Sequence, residues 1–223
     1  NMSRRKKRQL PAEPRELEIV DLSHDGRGVA VDGEKRVFVH GGLPGERVVA
    51  RITGRRRNFD EGESLAVLDR SPDRVEPQCP HFGICGGCWL QHLDSERQIG
   101  FKQNTLVQNL DRIGKGEAAE LWTPLTGPLW GYRRKARLSV RHVRKKGRVL
   151  VGFRERYGRF VADMQTCHVL DPRVAGQLEA ATGTVQRTVP GTFTASRTLH
   201  LPMHTCSPAA HGDAAHAPLH RRA

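Results

Sequence analysis

The chain has 223 residues, enough for one large domain or two small ones, and carries 37 Lys and Arg against 24 Asp and Glu, a formal net charge of +13. Such an excess points to a polyanionic partner. No stretch reaches the ~18 apolar residues needed to span a bilayer, and no apolar run follows the basic N-terminal stretch as a secretion signal requires, so a cytoplasmic protein with reduced thiols and no membrane partner is expected.

Residues 1–14 are a basic tail, with the run Arg4 to Arg8 at its centre. From 15 to 70 the pattern is short, β-rich and punctuated by Gly-containing turns: ELEIVD, GVAVD, RVFVH, ERVVARITG and ESLAVLDR. Asp32 and Gly33, between the second and third of these, suit a tight hairpin turn. Five short strands in so few residues fit a small closed barrel of the OB type better than an open sheet, because closure removes exposed edges. SPDRVEP then leads into a cysteine segment, residues 71–92.

In the next unit, 93–180, Ser95 and Gln98 have the spacing of a capping box, and Ile99, Leu106, Leu110 and Ile113 recur at helical intervals. This predicts a helix over about 95–113. The run YRRKARLSVRHV alternates, with Ala136, Leu138 and Val140 on one side and Arg133, Lys135, Arg137 and Arg141 on the other. A half-buried strand from Tyr132 to Val143 with a basic face is expected; RKKGR turns it into VLVGF, and GRFVAD supplies a third strand. The charge is concentrated here: Gly131 to Phe160 contains twelve Lys or Arg and one acid, Glu155, a net +11. Residues 181–223 lack Lys, Glu, Ile, Trp and Tyr and hold five of the eleven histidines. They show no periodicity and are expected to be disordered or the product of a shifted reading frame. The chain as a whole reads as a β-rich α+β protein.

The segment CPHFGICGGCWLQH places Cys79, Cys85 and Cys88 within ten positions, and 78 residues separate Cys88 from Cys167. A local trio with one remote thiolate is closer to iron–sulfur usage than to zinc, which draws on two short pairs. Zinc and plain core cysteines remain alternatives. Gly86 and Gly87 would let the loop backbone pass close to a bulky cluster and aim amide groups at its sulfides. Cys206 sits in an unpatterned context and receives no role.

Three collinear stretches over about 15–175 resemble the RNA uracil-5-methyltransferase family, in its branch with a TRAM domain and an iron–sulfur cluster: LSHDGRGVAVDGEKRVFVHGGLPGERV, CPHFGICGGCWLQHLDSERQIGFKQNTLVQNLDRIG, and GYRRKARLSV through VGFRERYGRFVADMQTCHVL. The resemblance implies an OB-like TRAM barrel at 15–70, an iron–sulfur loop at 71–92, and a small central α/β RNA-binding domain at 93–180. It also implies a [4Fe-4S] cluster on Cys79, Cys85, Cys88 and Cys167, and 23S rRNA as substrate, with the bacterial 23S enzyme as the nearest type. In that family an S-adenosylmethionine-dependent domain follows, whose cysteine adds to carbon 6 of a flipped-out uracil before carbon 5 is methylated. Nothing after Gln177 resembles that domain, so no catalytic residue is assigned. The chain reads as the N-terminal half of such an enzyme, inactive alone and monomeric. The RNA contacts are expected from Arg133, Arg134, Lys135, Arg137 and Arg141, with Arg55, Arg56 and Arg57 as a second surface. A solvated basic face is the plain alternative for these. At the level of function, the alternatives are a non-catalytic TRAM-type RNA-binding protein with a structural metal site, and a small ferredoxin, which the positive charge disfavours.

Overall fold

A computed structural model describes Leu10 and residues 13–180, 182 and 183. The Arg4 to Arg8 run, Cys206 and nearly all of the 181–223 segment lie outside the described residues.

Five strands, β1 (Arg15–Leu22), β2 (Gly28–Asp32), β3 (Lys35–His40), β4 (Arg47–Arg55) and β5 (Phe59–Asp69), close into a barrel in the order β1-β2-β3-β5-β4. All pairs are antiparallel except β3 with β5. The period-two alternation of the sequence does what it should in β1, where Leu17 and Ile19 point inward and their neighbours outward. They meet Ala30, Val37, Val39, Val48, Ala50 and Ile52 in one core. Ile19 is accommodated by glycine: a Cβ on Gly28 would lie 2.8 Å from both Ile19 Cγ2 and the Gly42 carbonyl oxygen. In the β2–β3 turn Gly33 takes the positive φ, 62°, while Asp32 stays in the ladder opposite Lys35.

The chain leaves the barrel through a buried ion pair. Glu46, wholly buried in the loop before β4, accepts from the Leu43 N–H at 2.8 Å and the Ser71 N–H at 3.2 Å, and one of its oxygens lies 2.7 Å from Arg74 Nη2. Burial alone would raise the carboxyl pKa, but the hydrogen bonds from Arg74 and the loop amides outweigh it and hold Glu46 below its ordinary value. Arg74 then bridges to Leu93, and the Val75 N–H donates to the His92 carbonyl at 3.0 Å. Both ends of the cysteine segment are thereby held against the barrel exit.

Helix α1 (Ser95–Arg112) forms as the periodicity predicts, but its N-cap is Asp94, whose carboxylate accepts from the Glu96 and Arg97 amides. Ser95 is the first helical residue, and Gln98 donates to the Leu90 and Leu93 carbonyls instead of closing a capping box. No residue of α1 is buried, so its apolar stripe is not part of the described core.

The expected strand from Tyr132 to Val143 is mostly irregular. Only β6 (Ser139–Val143) is a strand, paired antiparallel with β7 (Arg148–Gly152) through a single 3-10 turn and Gly147 at φ 63°. Residue Arg133 bridges instead to Leu170, in parallel. The alternation at 136–140 arises because Ala136 and Leu138 pack inward from this irregular approach and Val140 from β6. The GRFVAD strand reduces to one bridge, Arg154 to Val161. The hairpin, Met164, the Cys167–Leu170 stretch and the short helix α2 (Pro172–Ala175) share a second core.

Candidate metal centre and nucleic-acid interface

The cysteine loop is wound by its own backbone. The Cys79 carbonyl accepts from the Phe82 N–H at 3.0 Å and the His81 carbonyl from the Cys85 N–H at 2.9 Å, with Gly83 at φ 91° allowing the turn. The loop then pairs with the segment after β7: the Gly86 N–H donates to the Arg154 carbonyl at 2.9 Å and the Arg156 N–H to the Ile84 carbonyl at 2.8 Å. A Cβ on Gly86 would lie 2.9 Å from that Arg154 oxygen, and one on Gly87 would lie 3.0 Å from the Phe153 ring. The glycines are needed for this protein-to-protein approach, and the Gly87 N–H also points at the Cys85 sulfur, 3.3 Å away.

This pairing brings all four sequence-predicted thiols to one pocket. Cys79, Cys85, Cys88 and Cys167 are free thiols, and the pocket they share with Phe82, Phe153, Met164 and Val169 encloses about 290 Å³ outside any atom, part of it open to solvent. Cys85 and Cys167 are buried, Cys79 and Cys88 half-buried. Burial pushes the Cys85 thiol up, the Gly87 amide at 3.3 Å opposes this, and the other three sulfurs raise it further. Burial likewise raises Cys167, against hydrogen bonds from the Leu170 and Val169 amides. Cys85 and Cys167 are thus held as neutral thiols in the free chain, and a bound cation would favour their thiolate forms instead. Among the described residues no three Cys, His, Asp or Glu side chains gather closely enough for a single metal ion.

Sequence reasoning missed Arg156. Its guanidinium lies between the rings of Phe82 and Trp89, 4.7 and 4.8 Å from their centroids, and donates to the Cys88 carbonyl at 2.6 Å. No spacing marks such a residue among so many arginines. Arg133 does similar work from the other side, donating to the Gly87 carbonyl at 3.3 Å with its guanidinium 5.6 Å from the Phe153 ring. His92 is buried against Phe82, and neither ring nitrogen has a hydrogen-bond partner among the described residues. Burial, then the charges of Arg74 and Arg156, lower its pKa to about 4. From the barrel, His40 meets Tyr157 edge-on at 4.3 Å and Trp89 at 5.7 Å.

The basic residues divide. Arg134, Lys135 and Arg137 are exposed on the irregular approach to β6. Arg141 is half-buried, 5.9 Å from the ring of exposed Phe160. On the barrel, Arg55 reaches Asp60 at 3.4 Å and Arg56 reaches Glu61 at 3.2 Å, while Arg57 is exposed in the turn between β4 and β5.

Comparison with known proteins places this arrangement. Residues 11–65, the barrel through the first half of β5, match the TRAM domain. A 23S rRNA (uracil(1939)-C(5))-methyltransferase of Alkalilimnicola ehrlichii is 53% identical over 174 residues, 78% of this chain and 39% of that protein. The matched part is homologous to 23S rRNA uracil-5-methyltransferases. A second such methyltransferase, from Stenotrophomonas maltophilia, is 51% identical over 79% of this chain and 40% of its own length. The chain therefore spans about two-fifths of the length of these methyltransferases. A solved structure of the Pyrococcus abyssi tRNA (uracil-54, C5)-methyltransferase, in complex with S-adenosyl-L-homocysteine, superposes with a TM-score of 0.53 at 24% identity, over 78% of this chain and 37% of that one. That likeness is one of fold, and it extends well past the TRAM barrel. Among the described residues no helix is long and apolar enough to cross a membrane.

Proposed function

We propose that this chain is the RNA-recognition and cluster-bearing portion of an S-adenosylmethionine-dependent 23S rRNA uracil-5-methyltransferase. The observation that carries the reading is the convergence of Cys79, Cys85, Cys88 and Cys167 on one pocket in a chain half identical to such methyltransferases. The donor set fits a [4Fe-4S] cluster. Four free thiols from two distant segments line one largely apolar pocket, and a [4Fe-4S] cluster takes four cysteine thiolates. When bound, the cluster supplies four iron–thiolate links, tying the loop to the Cys167 stretch. The chain's own residues build the site: Gly87 and the Val169 and Leu170 amides donate to the sulfurs, and Arg133 and Arg156 fix the loop carbonyls.

In this reading residues 15–70 are the TRAM barrel, 71–92 the cluster loop and 93–180 the central RNA-binding unit. Arg134, Lys135, Arg137 and Arg57 contact phosphates directly; Arg55, Arg56 and Arg141 add charge beside them, and Arg133 acts by holding the loop. The substrate is 23S rRNA, and the methyl donor's site and the nucleophile belong to the remaining length of the relatives. The chain works as a cytoplasmic monomer and by itself transfers no methyl group. Radiolabel passing from S-adenosylmethionine to 23S rRNA above a no-protein control would contradict that last point.

Protein purified without oxygen should be brown and carry about four irons and four sulfides per chain. Cys167→Ser should lower both and loosen the loop, read as faster proteolysis within residues 79–92. Stoichiometric zinc without sulfide would replace the cluster with a structural metal site.

A further inference from the structure

The barrel is held to the rest of the chain at its exit, where Glu46 meets Arg74. A second contact lies off the path of the chain, at the β1–β2 turn and the end of β3. Gly26, buried in that turn at φ 81°, faces the residues that follow Cys88: a Cβ on it would lie 3.0 Å from Leu90 Cδ2 and 3.6 Å from Trp89 Cβ. His40 ends β3 with its ring against Trp89 and Tyr157. Arg156 ties this contact to the cysteine loop. Its backbone N–H donates to the Ile84 carbonyl and its guanidinium to the Cys88 carbonyl, while the same guanidinium lies against the rings of Phe82 and Trp89. Its Nε is buried with no hydrogen-bond partner among the described residues. Attraction of a desolvated cation to two ring faces offsets that missing bond. Contacts therefore run without a break from the Cys88 carbonyl through Arg156 and Trp89 to His40 on the barrel.

We infer that Arg156 is a positioning residue, a clamp that fixes the barrel's orientation on the cysteine loop, so that Arg57 on the barrel and Arg134, Lys135 and Arg137 on the central unit meet one RNA as a single pre-arranged surface. The inference rests on the proposed reading that the chain grips 23S rRNA. Two units joined by one passage of chain move relative to each other unless an interface holds them. Two tethered surfaces bind the same polyanion with an affinity set by how well their spacing is fixed beforehand. A barrel free to turn about its exit has to be ordered on binding, which lowers affinity without changing the number of phosphates met. The slope of log affinity against log salt counts those phosphates. Affinity and slope thus separate a clamp from a phosphate contact: losing the clamp lowers the first alone, and losing a phosphate contact lowers both.

The test compares the 223-residue chain, purified without oxygen, with Arg156→Gln and with His40→Ala, which breaks the same contact from the barrel side and removes no fixed cation. Amide hydrogen exchange is followed at residues 23–28, with 48–52 in β4 as the control for opening of the barrel itself, and binding to a 23S rRNA fragment is titrated with salt. Both variants are expected to speed exchange at 23–28 by about tenfold, as for a locally opened contact, with 48–52 unchanged. Both should also lower RNA affinity by about tenfold while the salt slope shifts by less than about 0.5. Iron and sulfide are measured in each preparation; if Arg156→Gln loses them, His40→Ala decides alone by the same two readouts. Unchanged exchange in both variants overturns the inference, and so does faster exchange with unchanged affinity. A loss of affinity confined to Arg156→Gln, with the slope down by roughly 0.7, makes Arg156 a phosphate contact and overturns it as well. A parent chain that does not bind the fragment refutes the proposed function and the shared grip with it, whereas a parent that binds beside two silent variants refutes the clamp alone.

Discussion

His92 shows how one side chain can carry a pH dependence without any chemical role. It is 1% exposed, its ring nitrogens have no partner among the described residues, and its pKa is lowered to about 4 from 6.5. Between those two pH values the unfolded chain binds a proton that the folded chain does not. The stability it confers is therefore complete above pH 6.5 and is lost as pH falls toward 4, by on the order of 3 kcal/mol in all. His92→Leu is expected to flatten urea-denaturation midpoints between about pH 7 and 5 without lowering the midpoint at about pH 7.5, since no hydrogen bond is forfeited. An unchanged pH profile in the variant would move the effect to His40, whose pKa is likewise lowered to about 4 by burial and by Arg27 and Arg156. Glu46 works in the same direction at lower pH: its carboxyl is held below 4.5, so its contribution is present above that value and disappears as pH falls through the folded pKa.

At the scale of elements, the junction of the cysteine loop with the Phe153–Arg156 segment decides whether four thiols meet at all. Gly86→Ala puts a methyl group 2.9 Å from the Arg154 carbonyl oxygen, a backbone atom that cannot swing away. The variant should lose about 1–3 kcal/mol, the usual cost of overpacking, and bind less iron, read by denaturation and metal analysis of one preparation. Full iron and unchanged stability would show that the junction yields. The glycine pair marked a close approach that the sequence alone assigned to a cluster, whereas the protein atoms it meets are the Arg154 carbonyl and the Phe153 ring. The barrel was legible because each strand alternates and each turn carries Gly, and both signals are local. The alternation at Arg133 to Arg141 was equally clear and misled: Ala136, Leu138 and Val140 do point inward, yet the residues before Ser139 form no ladder with a neighbouring strand, and pairing is not written in one segment. For α1 the periodicity marked the helix and its apolar face correctly, although among the described residues that face is not buried.

Across the whole molecule, the question is which positive charges are available to RNA. Charge density made the Gly131 to Phe160 region stand out, but the structure uses part of it internally: Arg133 on Gly87, Arg156 on Cys88, and Lys146 and Arg148 together on Asp163 at 2.6 Å each. Arg144, Lys145, Arg154 and Arg159 are exposed as well, but the trio Arg134, Lys135 and Arg137 is the densest, on a segment whose irregular backbone can follow a folded RNA more closely than a flat strand. Each phosphate neutralised on a single strand contributes roughly 0.7 to the slope of log affinity against log salt. Reversing all three residues to Glu should therefore weaken binding to a 23S rRNA fragment and reduce that slope by about 2. Arg133→Gln provides the contrast. It removes one cation but chiefly releases the Gly87 carbonyl, so the slope should change by less than about 1 while the cysteine loop becomes more susceptible to protease. If the triple reversal leaves slope and affinity intact, the basic segment is a solvated surface and the RNA contact lies elsewhere, with the turn at Arg57 the next place to reverse. If Arg133→Gln alone matches the triple variant, the guanidinium leaves Gly87 to reach a phosphate, and the division between internal and RNA-facing arginines drawn from the free chain does not survive binding.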